Sequence, residues 1–172
     1  MRTDIAPLAM HFVVDGRIPN HPYLPALLYR GAVAESAGRA EVFERCFAAH
    51  DWPAQWRDSI YPYHHYHANA HEAFGIVSGE ASVLLGGPHG QALSLTAGDV
   101  LVLPAGTGHC LLSASADFLA VGAYPRGASA DMQDEHSIDA DQLRATILAV
   151  PIPASDPVGG VQGHLPRLWS SP

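Results

Sequence analysis

The sequence contains no lysine: all nine basic side chains are arginines, and the formal charge is −8. The arginines are scattered and form no basic run to track phosphates, which argues against nucleic acid or an anionic membrane as partner. No stretch approaches the ~20 apolar residues needed to span a bilayer. The N-terminus carries Asp4 and Pro7 and has no signal-peptide apolar core, so a cytoplasmic location is expected. Two cysteines, Cys46 and Cys110, are too few for a disulfide framework. Cys46 falls on the apolar stripe of an expected helix and reads as a small core residue. Charged residues are also scarce, at 15% against 48% apolar, which marks a globular chain rather than a disordered one. At 172 residues, one domain with terminal extensions is the simplest organisation.

What is present is a succession of short apolar runs separated by turn residues. Met10 to Val14 and Ala26 to Arg30 read as strands, with Asp15-Gly16 as a turn. A helix is expected over 37–50, with Ser36 as its N-cap. Val42, Phe43, Cys46 and Phe47 form its apolar stripe, and Asp51-Trp52-Pro53 ends it. Strands are expected near 57–61, 63–68, 72–78, 81–86, 91–96, 100–103, 109–114 and 117–124, punctuated by Gly-containing turns. Such spacing suggests a β-sandwich or jelly roll. Residues 125–136 read as loop, and a second helix is expected over 139–149, stopped by Pro151 and Pro153. The tail ends in Leu165-Pro166-Arg167-Leu168-Trp169, whose apolar residues are expected to dock on the barrel or on a second subunit. The chain thus divides into an N-terminal extension (1–55), a barrel (56–125) and a C-terminal helix and tail (126–172).

Chemistry concentrates between Tyr61 and Cys110. On an extended strand His65 and His67 project from one face. Glu72 opens the next apolar run, and His109 follows the Pro104-Ala105-Gly106-Thr107-Gly108 turn. Three imidazoles and a carboxylate from different strands suit a divalent transition metal. The competing reading is a set of polar core histidines. His64 and His71 have the opposite parity and are expected to face solvent or to stand behind the ligands.

This stretch resembles the two signature motifs of the cupin superfamily. The first, His-x-His, four residues, Glu, six residues, Gly, is filled by His65, His67, Glu72 and Gly79. The second is filled by Gly98, Pro104, Gly106 and His109, with Ser113 where the family usually has Asn. The flanking segments are similar to those of small bacterial single-domain cupins. The resemblance implies an all-β fold, the cupin double-stranded β-helix or jelly-roll barrel, here with N- and C-terminal helical extensions. It also implies one divalent transition metal ion (Fe, Mn, Ni, Zn or Co) on His65, His67, Glu72 and His109. The family commonly pairs barrels, so a homodimer is expected, with Met10 to Val14 and the tail as cover for the open edges.

Parity places Tyr63 beside the ligand histidines, Phe74 and Ile76 beside Glu72, and Leu111 and Ser113 beside His109. Arg57 is placed to reach the same cavity and pair with a carboxylate or enolate. A small-molecule ligand is therefore expected against Arg57, Tyr63, Phe74, Leu111 and Ser113, with Glu72 as the general base. The resemblance implies an oxygenase or an isomerase/lyase on a small oxygen-rich organic compound. The retained Glu72 resembles three-His-one-Glu dioxygenase and germin-like sites rather than thiol dioxygenases. A non-enzymatic metal-containing binding or sensor protein is the alternative, since fold does not determine function.

Overall fold

Leu27, Val100 and Val102 belong to strands whose every side chain finds apolar cover, and this sets the layering of the molecule. The computed structural model of the chain describes residues 1–35, 38–134, 136–137 and 140–170. Its strands are β1 (Leu8–Met10), β2 (Ala26–Tyr29), β3 (Ala54–Asp58), β4 (His65–Tyr66), β5 (Glu72–Ser78), β6 (Glu80–Leu85), β7 (Gln91–Thr96), β8 (Val100–Leu103), β9 (His109–Ala114), β10 (Leu119–Ala123) and β11 (Gln133–Asp134). Its helices are α1 (Arg39–Ala49), α2 (Ala140–Ala149) and the short α3 (Leu165–Leu168).

The strands form two antiparallel sheets, a six-stranded one ordered β1-β2-β8-β5-β10-β3 and a five-stranded one ordered β11-β4-β9-β6-β7. The fold is all-β and of the jelly-roll class, although the two sheets remain separate and do not close into a continuous barrel. Leu28, Phe74, Ile76, Leu101 and Leu103 of the larger sheet meet Val83, Leu85, Leu93 and Leu95 of the smaller one in the core between them. The other face of the larger sheet is covered by Phe43 and Phe47 of α1 and by Leu165 and Trp169 of the tail. That double cover explains why β8 reads Val-Leu-Val-Leu with no polar alternation. β7, with one face in solvent, alternates buried Leu93 and Leu95 with exposed neighbours.

Several boundaries differ from expectation. The first strand lies earlier, at Leu8–Met10, and Val13 and Val14 are exposed irregular chain beyond it. The strand expected over 63–68 shrinks to His65–Tyr66. Helix α1 starts after Gly38, which takes a left-handed φ of 77°; Ser36 lies outside the described residues. Gly98 shows why the second motif needs glycine: its φ is 100°, and a Cβ there would sit 2.4 Å from the Val33 carbonyl oxygen.

The tail docks on its own chain. The buried carboxylate of Asp156 accepts hydrogen bonds from the Tyr29 hydroxyl at 2.5 Å and from the amides of Val158 and Leu165 at 2.7 and 2.9 Å. Trp169 is fully buried and its indole N–H donates to the Pro25 carbonyl at 2.8 Å.

Candidate metal centre

β4 and β9 are adjacent strands in the smaller sheet, with His65 directly opposite His109. Glu72 begins β5 in the facing sheet, so its carboxylate approaches the histidines from across the core. His67 sits just past β4, where its Nδ1 meets the carbonyl of Asp131. His65 Nδ1 meets the Tyr63 carbonyl at 3.0 Å, and His109 Nδ1 meets the Thr107 carbonyl at 3.1 Å. A ring nitrogen facing a carbonyl carries the proton. All three rings are thus held in the tautomer that leaves Nε2 as a bare lone pair, the arrangement a metal-binding histidine needs.

Those lone pairs point at an acceptor. His67 Nε2 lies 3.1 Å and His109 Nε2 3.5 Å from Glu72 Oε2. His109 Nε2 and Glu72 Oε2 are buried with no hydrogen-bond partner. Acceptors held this close in a dry interior need a cation between them, either a proton or a metal ion. One donor atom each from His67, Glu72 and His109 lies within 4.8 Å of the others, a spacing that fits an ion. His65 falls outside that mutual distance, although its ring centroid is 4.0 Å from that of His109.

The surroundings favour neutral imidazoles at two positions. Burial, reinforced by the other histidines, pushes His109 well below its ordinary value, and burial also lowers His65. At His67 burial lowers the value too, but the Glu72 carboxylate and the Asp131 carbonyl outweigh it and the net shift is upward. Of the three imidazoles, His67 is therefore the one most readily protonated.

Residues 58–122 match the family description of the cupin domain. The uncharacterized protein YjlB of Bacillus subtilis (strain 168) is 39% identical to this chain over 158 residues, covering 92% of this chain and 93% of its own. The chain is a member of the cupin superfamily. Among solved structures, an uncharacterized conserved protein with a double-stranded β-helix domain from Klebsiella pneumoniae subsp. pneumoniae MGH 78578 matches at 16% identity. That match covers 77% of this chain and 82% of the other, with a TM-score of 0.37. A deletion mutant of Bacillus subtilis oxalate decarboxylase also matches at 16% identity, over 67% of this chain and 29% of the other, with a TM-score of 0.37.

His65, His67 and Glu72 of this cupin open onto a cavity of ≈ 250 Å³. Its remaining walls are Trp56, Asp58, Ser59, Ile60, Tyr61, Phe74, Tyr124 and Met132. Of the pocket residues expected from the sequence, Phe74 lines the cavity. Arg57 does not: it faces α1, where its guanidinium pairs with Glu44 at 2.7 Å and Glu41 at 3.0 Å. Tyr63 precedes the shortened β4, so strand parity does not apply to it; it stacks on Tyr61, ring centroids 5.1 Å apart, and is half-exposed. Leu111 points inward but packs into the core between the sheets. Ser113 is turned outward because Leu112 bulges from β9: Leu111 pairs with Val83 and Ser113 with the next residue, Ser82. Ser113 lines a surface groove with Glu80, Ser82 and Ser94 instead.

The two histidines set aside by parity also differ from each other. His71 does not face solvent: it is fully buried, its Nδ1 accepts the Ala105 amide at 3.0 Å, and burial pushes it down to about 3. The Nδ1 of His64 is buried without a partner. Three residues at the site carried no recognisable signal in the sequence. The Tyr124 hydroxyl donates to Glu72 Oε1 at 2.6 Å, Trp56 donates to that hydroxyl at 3.1 Å, and Asp131 orients His67 from a segment read only as loop. Among the described residues, no helix is long and apolar enough to cross a membrane.

Proposed function

We propose that this cupin holds one divalent transition ion with His65, His67, Glu72 and His109, and that it acts as an oxygenase or isomerase/lyase on a small oxygen-rich organic compound. The observation that carries this reading is the convergence of His67 Nε2, His109 Nε2 and Glu72 Oε2, two of them orphaned and buried, beside a cavity. A bound ion would act there as a Lewis acid toward a substrate oxygen.

The protein's own residues supply the rest. Phe74, Trp56 and Ile60 form an apolar wall that excludes water and strengthens the pull of any charge on a developing enolate oxygen. Glu72 takes the substrate proton, with the Tyr124 hydroxyl holding its second oxygen. The cavity-lining residues include the carboxylates Asp58 and Glu72 and no arginine. Such a lining disfavours a polycarboxylate and favours a diketone, a phenolic compound or a small hydroxy acid. Screening these compounds for turnover and binding with the iron, manganese and nickel forms tests the reading. Turnover that is lost in Glu72→Gln supports it; failure of every form to turn over or bind any of them counts against it.

The two cysteines are unpaired, which suits a reducing compartment such as the cytoplasm. A homodimer remains our expectation, with the edge strand β1 and exposed Leu8, Val13 and Val14 as its surface. In the tail, Leu165 and Trp169 are buried within the chain, which leaves the exposed Leu168 as its apolar contribution to such a surface. Sedimentation of a monomer at micromolar concentration would rule the dimer out.

A further inference from the structure

The two oxygens of Glu72 have different neighbours. Oε2 faces the histidines at 3.1 and 3.5 Å, whereas Oε1 accepts the Tyr124 hydroxyl at 2.6 Å. Glu72 and Tyr124 are both buried, at 3% and 5% exposure, so solvent has little access to that bond. The hydroxyl is itself held in place, because Trp56 Nε1 donates to it at 3.1 Å.

The sheet explains how these groups meet. Gly122 on β10 pairs with Trp56 on β3 and with Phe74 on β5. A Cβ at Gly122 would come within 1.8 Å of the Trp56 ring, so the indole lies across bare backbone. From there its N–H reaches Tyr124, two residues along on the same face.

We propose that Tyr124 is a positioning residue that restricts Glu72 to one metal-facing oxygen, leaving the site one more coordination position than a chelating carboxylate would allow. The proposal rests on the metal-centre reading above. A carboxylate can ligate through one oxygen or through both. Chelation here would turn Oε1 toward the ion and away from the Tyr124 hydroxyl that holds it at 2.6 Å, weakening a charge-assisted hydrogen bond in a buried place where its loss is costly. A substrate that binds through two oxygens needs two free positions. Tyr124 thereby favours bidentate oxygen compounds without touching the ion itself.

The test uses the full chain, freed of metal and reloaded with manganese(II). The readouts are manganese stoichiometry and the number of inner-sphere waters per bound ion, from oxygen-17 relaxation. Wild type and Tyr124→Phe should bind manganese with equal stoichiometry. The variant should hold one water fewer, because the freed Oε1 joins the ion. A merely structural role for Tyr124 would lower occupancy and leave the water number per ion unchanged. Equal water numbers at equal loading would overturn the proposal and leave the metal centre intact. Failure of the wild type to take up manganese would overturn the metal centre, and this proposal with it. Should Tyr124→Phe not fold, a crystal structure of the manganese-loaded wild type decides. Glu72 ligating through one oxygen, with Tyr124 on the other, is expected, and chelation through both contradicts the proposal.

Discussion

The indole of Trp169 packs 4.7 Å, ring centroid to ring centroid, from His71, the residue immediately before Glu72. His71 in turn accepts the amide of Ala105, next to Pro104 in the second motif. The Trp169 side chain therefore supports the segments that lead into β5 and β9, two of the three strands that bring metal-facing groups.

Removing that support should be costly. Trp169→Ala deletes a fully buried indole and its bond to Pro25, and a loss of about 3–5 kcal/mol is expected. Urea unfolding of the purified variant measures it. A midpoint close to that of the wild type would show that the tail is a passive cover.

Gly122→Ala should destabilise the molecule by about 1–3 kcal/mol, because the new methyl group has no room beside Trp56. The displaced indole should also change the tryptophan fluorescence of the native state. An unchanged melting temperature and spectrum would contradict the close approach of the indole to β10.

The elements that could be read from the sequence share a physical reason. Glu72 and His109 open their strands and His67 directly follows β4, and the turn before His109 carries Gly106 with a φ of 84°, so motif spacing carries the site. Phe74 follows from Glu72 by simple alternation, since β5 runs unbroken from Glu72 to Ser78. Parity failed where strands are short or irregular. Tyr63 lies outside the two-residue β4, and the bulge at Leu112 reverses the facing of Ser113. Arg57 was misplaced for a different reason: the acidic side chains that attract it belong to α1, distant in sequence. Tyr124 and Trp56 become visible only once β10 is seen lying between β5 and β3. Pairing order of this kind depends on contacts between remote strands and leaves little trace in local pattern.

Acid should weaken the metal-free fold through His21. Burial lowers its pKa from 6.5 to about 4, and its Nδ1 accepts the amides of Tyr23 and Leu24 at 3.2 and 3.0 Å. Between those two values the unfolded chain binds a proton that the folded chain refuses. Stability is therefore full above about pH 6.5 and declines as pH falls toward about 4. The whole effect is on the order of 3 kcal/mol. His21→Asn keeps an acceptor but not the titration, so its stability should depend less on pH across that window. Identical pH dependence in both proteins would assign the effect elsewhere.

The most direct test of the metal centre is elemental analysis of protein purified without an affinity tag, comparing wild type with His67→Ala. One divalent ion per chain is expected in the wild type. In His67→Ala most of the metal should be lost, while the circular dichroism of the β-sheets is retained because their core is apolar and separate. Stoichiometric metal retained by the folded variant, or a wild type that binds none even after reconstitution, would contradict the assignment.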